Sequence, residues 1–313
     1  MSMRNLLLSY GFVFVMVLVF IGFSLSNRRF LTLGNIMNML HAAVPMLILT
    51  SGLALVVMTG NIDISTGSVI FVTAALGSVL MARHGVPPVI AILIIMAAGA
   101  SCGALNGFVV SVLKVNSFIA TLGMLFALRG IALLLTKSLV IRIPETLARM
   151  GHTRIGPVFV VILIALGFVS FVHLLHARTS FGRHIVATGG EAEIAKRSGV
   201  KVSRVTFLVF LLSGLFASIG GIFSLLQLGA VTPMTGMGLE FTGIAAVVIG
   251  GISLFGGRGT IIPGVLLGVI TLVIIETGFI YLGASPYAYL FVRGGIIFVA
   301  MYADSLRSIA YQG

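Results

Sequence analysis

Asp63 stands in the stretch "GNIDISTGSV", with Asn61 before it and Ser65 and Thr66 after it, at the head of a long apolar run. An amide, a carboxylate and hydroxyls at this spacing can contact a polar substrate through hydrogen bonds. They can equally fix a broken helix, because Asp or Ser ahead of a helix accepts from its first free amides. An ionised side chain at mid-bilayer costs about 2.5–3.5 kcal/mol on insertion scales, so it is kept for function or paired. Asn106, Asn116, Ser117 and Thr121 border the next two apolar runs and offer a similar choice between substrate contact and helix-to-helix bonding. Glu240, in "GMGLEFTGIAAVV", marks either an outer vestibule or an interfacial charge. Glu276 and Arg293, near opposite sides of the last hairpin, read as a structural pair. His173 and His176 are three apart, but no third ligand lies near them, so they read as interfacial histidines and no metal site is expected. No nucleophile and base cluster together, and the chain reads as no enzyme.

A second constellation is "SFGRHIVATGGEAEIAKRSGVKVSRVTF", Ser180 to Phe207. Only 8% of the chain is charged, yet Arg178 to Arg204 holds six of its 19 Lys/Arg and two of its seven Asp/Glu. Glu191 and Glu193 suit the amino end of a short helix, Lys196 and Arg197 its carboxyl end, and Gly199 a left-handed stop. Glu193 and Arg197 stand four apart in the favourable order. A helix of roughly eight residues from Glu191 to Ser198 is too short to persist alone in water and needs a surface to hold it. The plainer alternative is a solvated loop that obeys the charge rule of membrane proteins.

The elements that must carry these groups are apolar helices. With 59% hydrophobic residues and a mean hydropathy of +1.21, the chain reads as all-α and polytopic, a single transmembrane domain over residues 1–313. Ten segments are expected: Leu6–Leu25, Ala42–Thr59, Ile64–Ala82, Val89–Leu113, Phe118–Thr136, Val158–His176, Val205–Leu228, Phe241–Phe255, Ile261–Tyr281 and Tyr287–Ala303. The third and eighth are bordered by Gly and polar residues and read as partial or broken. The first is longer than a signal-peptide core and stays in the fold. Barrel strands would alternate in polarity, and these runs do not.

The net charge of +12 lies in short connections, where Lys and Arg orient a protein in the bilayer, so nucleic acid is not a partner. With both termini cytoplasmic, inner segments hold ten Lys/Arg and outer ones seven; without the island the balance reverses to four against seven. The island therefore belongs in the cytoplasm. Cys102, the one cysteine, is a packing residue. Gly99, Gly103 and Gly107 repeat every four residues, as do Gly264 and Gly268, letting helices approach closely within or between chains.

Five colinear blocks resemble the ribose-type family of ABC-transporter permeases, the family that also includes branched-chain amino acid permeases. They are "GNIDISTGSV", "NSFIATLGMLFALRG", "FGRHIVATGGEAEIAKRSGVKVSRVTFLVFLLSGLFASIGGI", "LEFTGIAAVVIGGISLFGGRGTIIPGVLLG" and "LGASPYAYLFVRGGIIFVAMYAD". The resemblance implies a type II importer-like permease of the bacterial inner membrane that translocates a sugar or sugar-like polyol. It also implies ABC ATPase subunits that hold ATP and Mg, a second permease chain, identical or different, and a periplasmic sugar-binding protein. The loop at about 178–204 then corresponds to a cytoplasmic coupling loop, and Arg183, Gly190, Glu191, Glu193, Ala195, Lys196, Arg197 and Gly199 are its expected contacts with the ATPase. Asn61, Asp63, Ser65, Asn106, Asn116, Ser117, Thr121 and Glu240 are the candidates for the translocation path. The chain has no Gly-Lys dipeptide and so no G-x-x-x-x-G-K-[ST] phosphate loop, placing hydrolysis on another polypeptide; no cofactor is expected in this chain. Departures from the family pattern at Asn61, Asn116-Ser117, Thr242 and Glu276 leave the substrate open beyond a plain pentose. The alternative is an ion-coupled secondary transporter of a small polar solute, with Asp63, Glu276 or Arg293 as a proton relay.

Overall fold

A computed structural model describes residues 3–285, 288, 291–296, 298–299 and 301–302. Among them α-helices dominate: α1 Met3–Ser26, α2 Leu33–Val57, α3 Thr66–His84, α4 Pro88–Ser111, α5 Ser117–Thr136, α6 Glu145–Gly151, α7 Val160–Arg178, α8 Ser180–Gly190, α9 Ala192–Arg197, α10 Val202–Leu228, α11 Leu239–Ile249 and α12 Leu266–Tyr281. Seven helical stretches are long and apolar enough to cross a membrane: α2, α3, α4, α5, α7, α10 and Ile261–Tyr281. The protein is a polytopic helical membrane protein. The first nine expected segments correspond to α1 to α5, α7, α10, α11 and α12; the tenth is described in part, as helix at 291–296, 298–299 and 301–302.

The eighth segment is the one that departs most from a full span. Helix α11 has 11 residues, about 16 Å at 1.5 Å per residue, roughly half of a 30 Å hydrocarbon core. It cannot begin earlier, because Gly236 and Gly238 just before it are held at φ +73° and +77°, outside helical space. Helix α3 has 19 residues but the lowest mean hydropathy of the seven spans, 1.5, and 78% of its apolar stretch is buried in the bundle. Helices α2 and α10 join it at the centre, whereas α4, α5 and α7 form an outer ring whose apolar residues mostly face outward.

Helices in lipid gain little from apolar contact, since acyl chains are as greasy as leucine, so close backbone approach must hold them together. The pair α4 and α10 shows this. Side chains added at Gly99, Gly103 and Gly107 would overlap Ser218, the Phe210–Leu211 backbone and Phe207 in turn, so the two helices run antiparallel in near-backbone contact. The pair α11 and α12 repeats it, with Gly268 against the Ala246 carbonyl. Both stripes thus seal contacts inside one chain.

Two short antiparallel ribbons close one end of the bundle. Strand β1 (Ile141–Arg142) pairs with β4 (Ala230–Val231), and β2 (Arg154–Ile155) with β3 (Val158–Phe159). Because α7 runs from β3 to α8 and α10 runs from α9 to β4, the ribbons and the α8–α9 pair occupy opposite faces. Gly103→Ala should lower the thermal unfolding midpoint of the detergent-purified protein, at a cost of about 1–3 kcal/mol for overpacking. Gly123→Ala on α5, where nothing lies within 4 Å, should hold or raise the midpoint through helix propensity.

Candidate functional site

After α2 the chain does not begin α3 until Thr66, and residues 61–65 belong to neither helix nor strand within the apolar bundle. The Asn61 amide still reaches the Val56 carbonyl of α2 at 3.4 Å, but the Ile62 and Ile64 amides need partners from elsewhere, and lipid offers none. Helix α5 supplies them. Ser117 Oγ accepts from the Ile62 amide at 3.2 Å, and Thr121 Oγ1 accepts from the Ile64 amide at 3.2 Å. The Thr121 hydroxyl in turn donates to the Ser117 carbonyl at 2.8 Å. Ser117 and Thr121 stand four apart on one helical face, matching the two-residue step between Ile62 and Ile64. Asn116, exposed, caps α5 by accepting from Phe118 and Ile119 at 3.0 and 3.4 Å.

Asp63 closes the segment on its other side. Its Oδ1 accepts from the Ser65 amide at 3.0 Å and the Ser65 hydroxyl at 2.6 Å, and its Oδ2 accepts from Ser213 of α10 at 2.8 Å. Asn106 of α4 donates to Ser65 Oγ at 2.8 Å. Three donors to one carboxyl group make it a node that ties the start of α3 to α10, and Asn106 adds α4 through Ser65. Ser65 occupies the cap position of α3, yet its hydroxyl turns to Asp63 and makes no cap bond. Asp63, Ser65, Asn106 and Thr121 are all 0–2% exposed, so the seam is sealed. Asn61, half-buried, donates to the Thr59 hydroxyl at 3.0 Å and braces the turn below.

Glu240 is buried inside the bundle, on the first turn of α11. Its carboxylate lies against Gly67 at the start of α3, and Gly236 also meets Gly67 backbone to backbone. The two interrupted stretches of the chain therefore touch. Arg129 of α5 donates to the carbonyls of Pro233 and Thr235 at 3.5 and 3.4 Å, with its guanidinium 5.3 Å from the centre of the Phe71 ring. Arg293 donates to Thr242 Oγ1 at 2.6 Å and acts electrostatically on both Glu240 and Glu276. Glu240 Oε2, Thr66 Oγ1 and Ser68 Oγ are buried without a hydrogen-bond partner. His173 accepts from the Ile262 amide at 3.4 Å, and the described residues contain no cluster of three potential metal ligands.

The charged island forms two helices. Helix α8 is capped by Thr179 and buries Ile185; it was not anticipated, because Gly182, Gly189 and Gly190 make its sequence look like a loop. Arg183 on it is exposed and donates to Ser180 at 2.9 Å. Gly190 ends it, Glu191 is the cap residue that follows, and α9 spans six residues where about eight were expected. Gly199 ends the turn at φ +86°, the left-handed stop that the sequence predicts. On α9 only Ala195 is buried, whereas Glu193, Lys196 and Arg197 are exposed and Ile194 is 63% exposed. Sequence reasoning passed over Ile194, Ser213 and Arg129; the last two were readable as single polar groups inside apolar runs.

The family described as "Branched-chain amino acid transport system / permease component" matches residues 35–301. The chain belongs to this permease family. Among curated relatives, the "Probable ABC transporter permease protein YphD" of Escherichia coli K12 is 39% identical, covering 95% of this chain and 89% of the relative. The "Ribose import permease protein RbsC" of the same strain is 33% identical, with 94% and 92% covered. The "Galactose/methyl galactoside import permease protein MglC" of Salmonella typhimurium LT2 is 32% identical, with 96% and 95% covered. No solved structure matched the chain. The permease is accordingly a multi-pass protein of the bacterial inner membrane and a transporter component, not an enzyme.

The polar seam makes a direct prediction for the permease. Thr121→Val keeps the volume but leaves the Ile64 amide bare, and should cost about 1–3 kcal/mol, read as a lower unfolding midpoint in detergent. Asn116→Ala, at an exposed cap, should cost about 0.5–2 kcal/mol and the smaller shift of the two.

Proposed function

We propose that this chain is the translocating subunit of an ATP-driven importer that carries a sugar or sugar-like polyol inward. The observation that carries the reading is α9: a six-residue helix with exposed charges at both ends and an exposed Ile194, tied to the bundle through Ala195. So short a helix gains its order from packing and not from its own hydrogen bonds. Its exposed side offers an apolar knob ringed by charge, the pattern that suits docking into a partner's groove. The partner it fits is an ABC ATPase subunit, which would hold ATP and Mg; Arg183, Gly190, Glu191, Glu193, Ala195, Lys196, Arg197 and Gly199 form the contact and its frame. A second permease chain, a periplasmic binding protein that delivers the sugar, and the surrounding lipid complete the assembly.

The substrate class rests on two supports. Relatives that cover nearly the whole chain are named as ribose and galactose or methyl galactoside import permeases. The groups at the two interruptions are also mostly uncharged hydroxyls and amides, the weak lining that lets a neutral polyol enter and leave. Asn61, Asp63, Ser65, Asn106, Asn116, Ser117, Thr121 and Glu240 remain the proposed path, which must open from the sealed arrangement for solute to pass.

Vesicles reconstituted with the permease, its ATPase and its binding protein should accumulate labelled ribose or galactose only with ATP, and a protonophore should leave uptake intact. Ile194→Asp and Glu193→Arg should each cut uptake roughly ten-fold by weakening the ATPase contact, about 1.4 kcal/mol, while the bundle unfolds at its usual temperature. Uptake driven by a proton gradient without the ATPase would overturn the proposal in favour of an ion-coupled transporter.

A further inference from the structure

The end of α8 meets two other backbones without any side chain between them. The Gly257 amide donates to the Met58 carbonyl at 2.9 Å, joining the loop after α11 to the turn that follows α2. Gly189 fits over this bond: a Cβ there would overlap the Met58 carbonyl oxygen and the Gly257 amide nitrogen. Gly256 packs on the Gly189 backbone and the Gly60 amide, and Gly257 lies against Gly190. Gly256 and Gly257 are held at φ +85° and +70°, a conformation that side chains resist. Three segments therefore interlock through peptide groups, which are stiffer than side chains and cannot rotate away.

The segments joined here are the root of the first interruption and the loop at the far end of the helix that closes the second. Met58 to Gly60 lead directly into the non-helical stretch that carries Asp63, and Gly256 and Gly257 follow α11, whose first turn carries Glu240. On the other side Gly190 is separated from α9 only by Glu191. Building on the reading of α9 as the ATPase contact, we infer that Gly189 is a positioning residue: it makes the turn after α2 and the loop after α11 move as one body with α8 and α9. A displacement of α9 then reaches the Asp63 seam and the Glu240 turn together, where a softer junction would let them move apart. Gly189 touches no substrate in this role. It acts through Met58 and Gly257.

The experiment compares Gly189→Ala with His184→Ala, an exposed position on the same helix, in the assembled transporter in vesicles. ATP hydrolysis and sugar uptake are measured in the same preparation. Gly189→Ala should lower sugar carried per ATP hydrolysed roughly ten-fold, within the range that changes in a coupling network produce, with His184→Ala at the wild-type ratio. Hydrogen exchange on the unsubstituted complex, with and without vanadate-trapped nucleotide, gives a second readout that does not depend on the variant folding. Amides at 56–60, 186–191 and 253–258 should change protection together. A wild-type ratio in Gly189→Ala, or a change at 186–191 with the other two segments static, would overturn the inference while ATP-driven uptake by the wild type still stands. Absence of that uptake in the wild type would instead sink the importer reading, and the latch with it.

Discussion

Every feature of this permease follows from one requirement: a peptide group inside a lipid-bounded bundle must find a partner within the protein. A continuous helix meets it automatically. This chain interrupts its helices twice, between α2 and α3 and again ahead of α11, and each interruption creates amides and carbonyls that something else must satisfy. At the first, hydroxyls of α5 serve as substitute rungs for the Ile62 and Ile64 amides. At the second, Arg129 reaches the carbonyls of Pro233 and Thr235. The polar residues that look most like a path are thus also the scaffold that makes the path geometrically possible.

This double duty explains the choice of residue types. A hydroxyl can accept from an amide and still donate elsewhere, as Thr121 does, so a few small side chains satisfy many backbone groups without filling space. Asp63 adds what hydroxyls lack, a pair of oxygens that accept from three donors at once, and with Asn106 on Ser65 it fixes α3, α4 and α10 relative to one another. Glycine does the rest. Where α4 meets α10, and where α8 meets the turn after α2 and the loop after α11, contact is made by backbone, so the bundle has rigid joints at its centre and at one face.

Much of the fold was legible in the sequence because its signal is large. Long apolar runs with polar borders gave the spans, and the partial nature of the eighth segment could be read from the glycines before Glu240. Gly199 as the helix stop was readable for the same reason: glycine is the residue that takes a left-handed backbone at least cost. Which helices are central was not readable. Helix α5 is as apolar as α2, yet one faces outward and the other is enclosed, since lipid and protein core select the same side chains. The partners of Asp63 were hidden too. Asp63 and Ser213 are 150 positions apart, and no local pattern links them; helix α8 escaped because its three glycines mimic a loop while its burial depends on the turn after α2.

The bond between Asp63 and Ser213 also has a history each time a molecule is made. Asp63 leaves the ribosome 150 residues ahead of its partner, a delay of about 8–30 s at ordinary rates of synthesis. Throughout that interval the carboxylate lacks its Ser213 donor, so the seam around it cannot close. It is completed only when α10 has been made, well after α3 and α5, which form its other walls.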